Sequence, residues 1–137
     1  MIKASSGYIL VSAPNKAGEN FIRELQRRQL RLAALANSKA EHRKLAGLGL
    51  GNVVTIDTAG CESWTVPQFA VSRVFLFEKS LNLSCRYIQI CRTWTNGPIY
   101  LITSNPSPRL VYKGLGAHHV IYTNGDDVGF LIDGHLE

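Results

Sequence analysis

The sequence alternates short apolar runs with segments that carry apolar residues at helical spacing. Short continuous apolar runs are typical of strands buried on both faces of a parallel sheet, and apolar residues at every third or fourth position indicate amphipathic helices. This pattern predicts strands at residues 8–11, 30–36, 53–57, 72–78, 99–103 and 119–123. It predicts helices at residues 18–28, 39–48, 81–95 and 108–115. Residues 59–68 fit a short helix or a loop, and residues 128–132 fit an added strand or the start of a truncated helix.

Strands that alternate with helices in this way predict an α/β fold with a doubly wound, mostly parallel sheet and helices on both faces. Crossovers between parallel strands are right-handed, and among the topologies that this rule leaves we expect the strand order 3-2-1-4-5-6. The 137 residues fit a single domain over 1–137. A domain of this size buries about two-thirds of the surface that its unfolded chain exposes, so we expect it to fold without a metal or a disulfide.

The composition is that of an ordinary globular domain, with 45% hydrophobic and 18% charged residues. No apolar run is long enough to cross a bilayer, and the first residues lack the pattern of a signal peptide, so we expect a cytoplasmic location without membrane insertion. Cys61, Cys85 and Cys91 form no C-x-x-C pair. We expect them to be reduced, buried packing residues.

A doubly wound sheet binds ligands outside the carboxyl ends of its strands, at the point between strands one and four where the strand order reverses. The loops at that point predict the candidate site at residues 12–18, with Asn37, Asp57 and residues 77–80 around it. Its ligand-binding residues are Ser12, Ala13, Asn15, Lys16, Gly18, Asn37, Asp57, Phe77 and Glu78.

The turn after the first predicted strand has the length of a dinucleotide-binding turn but lacks most of its glycines. Such turns read G-x-G-x-x-G, whereas residues 13–18 read APNKAG, so that Gly18 alone is retained. Further along, Asn105-Pro106 and the step Leu115-Gly116-Ala117 precede the apolar pair Val120-Ile121. With these segments the chain resembles, over about residues 8–123, the TrkA-N or RCK domains that regulate potassium channels and transporters.

The resemblance implies a Rossmann-like fold, binding of NAD(H), NADP(H) or an adenine nucleotide, a homodimer, and a membrane transport protein as partner. Several residues depart from the family pattern. Ala13 and Asn15 stand in place of the first two glycines, Pro14 has no backbone donor, and strand two ends in Ala36 and Asn37 where an acid would hold the ribose. The main hypothesis is therefore a non-catalytic regulatory or nucleotide-sensing module whose dinucleotide binding is weakened or lost. That the protein binds no cofactor at all stays open as an alternative.

A second hypothesis is a small NAD(P)-dependent oxidoreductase. Hydride transfer needs a held cofactor and an acid beside the substrate carbonyl. However, none of the five tyrosines is followed four residues later by a lysine, as in short-chain dehydrogenases. His118 and His119 point to opposite faces of a strand and cannot readily share a metal, and Asp126-Asp127 fits a solvated turn. No catalytic or metal-binding residue is therefore predicted.

A third hypothesis concerns the basic residues, which give the chain a formal net charge of +5. They could face nucleic acid or an acidic partner, although no aromatic residues alternate with them to stack bases, so nucleic acid is disfavoured. A variant of the nucleotide hypothesis has Lys16 supply to a phosphate the charge that compensates for the missing glycines. The basic residues that could face nucleic acid or an acidic partner are Arg23, Arg27, Arg28, Arg31, His42, Arg43 and Lys44.

Overall fold

The computed structural model describes residues 7–56, 69–105, 107–123 and 131. The strands in these ranges are β1 (Tyr8–Ser12), β2 (Leu32–Ala36), β3 (Val53–Thr55), β4 (Val71–Phe77), β5 (Ile99–Thr103) and β6 (His119–Tyr122). The helices are α1 (Lys16–Arg27), α2 (Lys39–Ala46), α3 (Leu81–Arg92) and α4 (Arg109–Leu115).

The described strands form one six-stranded parallel sheet in the order β3-β2-β1-β4-β5-β6. This confirms the predicted order and fold class. The chain moves outward from β1 to β3, returns to the middle at β4, and moves outward again to β6. Because β1 and β4 are neighbours, with Ser12 paired to Leu76, the loops that follow these two strands lie side by side.

Helices pack on both faces of the sheet, as predicted. One face is covered by α1 and α2, which contribute Phe21, Ile22, Leu25 and Leu45, and by Leu131 from the last part of the chain. The other face is covered by α3 and α4, which bury Tyr87, Ile88, Ile90, Cys91 and Tyr112. Both faces of β1, of β5 and of residues 74–77 of β4 are therefore largely dry, which explains their apolar sequences.

The predicted starts of α1 and β2 are wrong by two residues each. Helix α1 begins at Lys16 rather than residue 18, because the side chain of Asn15 caps it. Strand β2 begins at Leu32 rather than residue 30, because the preceding residues complete the end of α1. Gln29 has a φ of 59°, and the N–H of Leu30 bonds back to the carbonyl of Leu25, the pattern of a Schellman cap.

Helix α3 ends at Arg92, three residues earlier than the predicted end at 95. The N–H groups of Thr93 and Trp94 bond three residues back, which tightens the last turn. Cys91 is fully buried, as expected, and so is Ile88. Cys85, which was also expected to be buried, is only partly buried, as are Leu83 and Trp94.

The other predicted bounds agree with the structure, as for β5, or differ from it by one or two residues. Helix α2 ends at Ala46 and is capped at both ends, by Ser38 and Gly47, and Pro108 lies just before α4. Predictions for residues 57, 59–68 and Cys61, for Asp126-Asp127, and for all of the tail but Leu131 lie outside the described residues. In the part of the chain that the structure describes, no helix is both long and apolar enough to cross a membrane.

Candidate functional site

Two open cavities lie at the carboxyl edge of the sheet, one on either side of the loops that follow β1 and β4. The larger has a volume of 450 Å³ and is lined by Glu78, Lys79, Ser80, Leu81, Asn105, Ser107 and Pro108. The smaller has a volume of 230 Å³ and is lined by Pro14, Asn37, Ser38, Ala40, Glu41, Lys44 and Lys79. This is the edge at which the topology predicts a ligand site.

Lys79 lines both cavities and is exposed. It is the second residue after β4 and precedes Ser80, the cap of α3. The sequence prediction placed residues 77–80 around the site but did not single out Lys79 as a ligand-binding residue, although a cation two positions after β4 was visible as a signal. Lys79 lies at the switch point, where the strand order reverses between β1 and β4, and it gives both cavities a positive charge.

The turn between β1 and α1 is closed by the side chain of Asn15. Its Oδ1 atom accepts a hydrogen bond of 2.9 Å from the N–H of Gly18, and its Nδ2 atom donates one of 3.2 Å to the backbone carbonyl of Glu78. The first bond caps α1. The second joins the loop after β1 to the loop after β4 across the middle of the site.

Gly18 permits a close contact between α1 and the sheet. A Cβ atom at this position would lie 2.7 Å from the Cα atom of Ala13 and 3.2 Å from Cγ of Phe77. No side chain fits there without a backbone shift. The structure therefore agrees with the packing role expected of the third glycine of a dinucleotide-binding turn.

Glu78 is held at the end of β4 by hydroxyl groups from two other elements. Thr103, at the end of β5, donates to Oε1 at 2.6 Å, and Tyr112 of α4 donates to Oε2. Burial raises the pKa of Tyr112, and the hydrogen bond to Glu78 raises it further, while a hydrogen bond with Ser84 acts in the opposite direction. The carboxylate in the wall of the larger cavity is thus fixed by its neighbours.

The smaller cavity contains a carboxylate that sequence reasoning missed. Glu41 accepts a hydrogen bond of 2.9 Å from the N–H of Asn37, while its own N–H donates to Oγ of Ser38 at 3.1 Å. This pattern is a variant of the capping box at the start of α2, because the N–H that Glu41 accepts belongs to Asn37, one residue before the cap Ser38. The motif S-x-x-E was its sequence signal. Although β2 ends without an acid, the capping box brings an acidic side chain to the same place.

The nine predicted residues fall into three groups. Asn37 and Glu78 line the cavities, and Asn15 bridges the loops between them. Ser12, Ala13, Gly18 and Phe77 are buried beneath the site and shape it from below, and Lys16 is exposed on the first turn of α1 but lines neither cavity. Asp57 lies outside the described residues.

The adjacent histidines make separate structural contacts. His118 accepts a hydrogen bond of 3.0 Å at Nδ1 from the N–H of Ile99, and His119 stacks on the ring of Tyr100 with 4.8 Å between ring centroids. Residues 7–56, 69–105, 107–123 and 131 hold no group of three or more metal-ligating side chains.

Much of the basic surface is paired within the chain. Arg27 and Arg28 both bond to Glu24, and the pKa of that carboxyl is lowered chiefly by its hydrogen bond with Arg27. Lys44 lies 2.6 Å from Glu19, which ties α2 to α1. The guanidinium of Arg31 lies 6.0 Å from the ring centroid of Tyr8. The carboxylates of Glu24 and Glu19 offset part of the positive charge that nucleic acid would need, whereas the contact with Tyr8 leaves the charge of Arg31 in place.

No protein-family model matches the sequence, and no curated protein resembles it closely enough in sequence to be matched. Solved structures share its fold. The "GsuK channel bound to NAD" superposes with a TM-score of 0.66 at 16% identity, over 88% of this chain and 22% of that one. A GsuK structure bound to ADP gives 0.65 at 14% identity, over 89% of this chain and 32% of that one.

Two smaller structures match over most of both chains. One is the NAD(P)-binding domain of an exopolyphosphatase-related protein from Archaeoglobus fulgidus, with a TM-score of 0.66, 18% identity, and coverage of 95% of this chain and 94% of that one. The other is the TrkA-N domain of the inner membrane protein ybaL from Escherichia coli, with a TM-score of 0.66, 12% identity, and coverage of 88% and 90%. The chain has the Rossmann-like fold of TrkA-N and RCK domains, as expected, and spans about a fifth of the channel's length.

Proposed function

We propose that this protein is a regulatory module that senses an adenine nucleotide at the carboxyl edge of its sheet. The observation that carries the proposal is the meeting of two cavities at Lys79, at the switch point of a fold whose solved examples include GsuK bound to NAD and to ADP. Polar groups that converge at such a place are the usual mark of a binding site.

The smaller cavity suits a ribose. Glu41 and the side chain of Asn37 line it together, and a carboxylate beside the end of β2 is the group that accepts hydrogen bonds from ribose hydroxyls in doubly wound folds. Here the acid comes from the capping box of α2 instead of from the strand. A carboxylate at this place also repels a 2′-phosphate, so the ribose of the proposed ligand carries an unmodified 2′-hydroxyl.

The phosphate side of the site relies on a side chain instead of a glycine-rich loop. The first two glycine positions hold Ala13 and Asn15, and the Gly18 N–H already bonds to Asn15. Lys79 lines both cavities, whereas Lys44 lines only the smaller one and pairs with Glu19, so Lys79 is the proposed partner of the phosphate. Lys16 lines neither cavity, so Lys79 supports the charge hypothesis better than Lys16 does.

We further propose that the module works in the cytoplasm as a homodimer attached to a membrane transport protein. The likeness to the TrkA-N domain of an inner membrane protein and to a channel supports the partner. Exposed apolar side chains on α4, Leu110 and Val111, support the dimer. Nucleotide binding would then change how two modules meet, and no catalytic step is required.

A binding experiment with three proteins tests this function. Wild type, Lys79→Ala and Lys113→Ala are heated with AMP, ADP, NAD or NADP, where Lys113 is an exposed lysine on α4 that lines neither cavity. A ligand at a hundred times its Kd adds about 2.7 kcal/mol, which raises the Tm by several degrees. We expect a shift with AMP or ADP that Lys79→Ala loses and Lys113→Ala keeps. No shift for wild type with any nucleotide would refute the proposal.

A further inference from the structure

Asn15 connects the two halves of the proposed site. Its neighbour Pro14 is in the wall of the smaller cavity, and Glu78, whose carbonyl accepts the Asn15 amide hydrogen at 3.2 Å, is in the wall of the larger one. The hydrogen bond therefore runs between the walls of the two cavities. Asn15 is held from both sides, because its Oδ1 atom also accepts the N–H of Gly18 at 2.9 Å.

We infer that the Asn15 side chain divides the site into two compartments and makes this protein select a mononucleotide over a dinucleotide. The inference rests on the proposed function for the nature of the ligand. It assigns to Asn15 a role in specificity that is separate from its role in capping α1.

The chemistry of the two ligands explains the selection. NAD is AMP joined through a pyrophosphate to a second nucleotide, and in doubly wound folds the pyrophosphate crosses the loop after β1, where glycine lets the backbone approach it. In this protein Asn15 occupies that crossing and bonds to Glu78. AMP fits on one side and leaves the bond intact, whereas NAD has to break it.

Two substitutions separate the bridge from the cap. Asn15→Gly removes both hydrogen bonds, at a small cost in helix capping, since glycine is tolerated at the first cap position. Asn15→Ser keeps an acceptor for the N–H of Gly18, but its shorter side chain does not extend to the carbonyl of Glu78. If the bridge is the obstacle, both variants admit NAD. If the cap matters instead, only the glycine variant changes.

The experiment measures the Kd values of AMP and NAD by calorimetry for wild type and both variants. We expect wild type to bind AMP more tightly than NAD. Both variants should shift the ratio of the two Kd values toward NAD by about tenfold, the effect of one hydrogen bond of ordinary strength, while the Kd of AMP stays nearly constant.

Other outcomes are equally decisive. A wild type that binds NAD as tightly as AMP, or variants with an unchanged ratio, would overturn the inference while leaving the proposed function intact. If wild type binds neither nucleotide, the proposed function fails and the inference fails with it, because a site that does not bind AMP cannot select AMP over NAD.

Discussion

The hydroxyl of Tyr112 on α4 donates a hydrogen bond to the carboxylate of Glu78 at the end of β4. Tyr112 is fully buried, and Glu78 lines the larger cavity. A residue from the helix on one face of the sheet thus fixes a residue of the site. This contact connects the packing of α4 to the shape of the site, and several consequences can be measured.

The first prediction concerns the two buried tyrosines on this face. Tyr112→Phe leaves the carboxylate of Glu78 without one of its donors, so we expect the free energy of unfolding to fall by about 1–3 kcal/mol. Urea denaturation measures the change. An unaltered midpoint for Tyr112→Phe would show that the bond to Glu78 contributes nothing to stability.

Tyr87 on α3 provides the matched control. Its hydroxyl is buried and has no hydrogen-bond partner among the described residues, so the folded state bears the cost of removing it from water. We expect Tyr87→Phe to leave stability unchanged or to raise it by about 1 kcal/mol. The same chemical change should therefore lower stability at Tyr112 and should not lower it at Tyr87.

The second prediction is a loss of stability in alkali. Burial is the main cause that raises the pKa of Tyr112 above the ordinary value of 10.0. The unfolded chain therefore releases this proton first, so the contribution of Tyr112 is fully present below about pH 10 and is lost as the pH rises above it. Burial raises the pKa of Tyr87 and Cys91 as well. We expect Tyr112→Phe to flatten, but not abolish, the fall in Tm between pH 9 and 11; an unchanged slope would contradict this assignment.

The third prediction tests the close contact of α1 with the sheet. A methyl group at Gly18 would meet the backbone of Ala13, so Gly18→Ala should destabilise the fold by about 1–3 kcal/mol. Gly114 on α4 has open space around its Cα, and there the same change should stabilise the helix by about 0.5–1 kcal/mol. Equal effects of the two substitutions in thermal denaturation would show that the packing argument is wrong.

These contacts also indicate how far the sequence can be interpreted. Apolar runs such as Tyr8–Ser12 and Ile99–Thr103 predict buried parallel strands, because little else in a chain of this size is continuously apolar. Asn37 and Glu78 directly follow β2 and β4, so the topology alone predicts that they lie at the carboxyl edge of the sheet. Lys79 was not singled out within the predicted loop 77–80, because its role depends on which loops face each other. Glu41 was missed because its role depends on a side chain that turns back from its helix. Periodicity carries no information on either point.

The fourth prediction addresses the proposed dimer. Leu110 on α4 is 78% exposed, and its neighbour Val111 is exposed as well. Exposed apolar residues that lie together are typical of a contact surface. If α4 forms the contact between two copies, Leu110→Glu should shift sedimentation from dimer to monomer. Leu30, exposed at the other side of the sheet, provides the control, and Leu30→Glu should leave the dimer intact. A monomeric wild type would rule out this interface.

The last prediction concerns Glu41 and the kind of ribose that the site accepts. Glu41→Gln removes the negative charge but keeps an oxygen that can accept the N–H of Asn37, so the capping box and the helix are retained. We expect wild type to bind AMP and to reject adenosine 2′,5′-bisphosphate, because its 2′-phosphate would lie beside the carboxylate. The glutamine variant should reduce that discrimination by about tenfold, a change typical of one lost charge interaction near a protein surface. Glu24→Gln provides the control, because Glu24 on α1 pairs with Arg27 and Arg28 and lines neither cavity. This variant should not alter the discrimination between AMP and the bisphosphate. Equal discrimination in wild type and Glu41→Gln would place the ribose elsewhere.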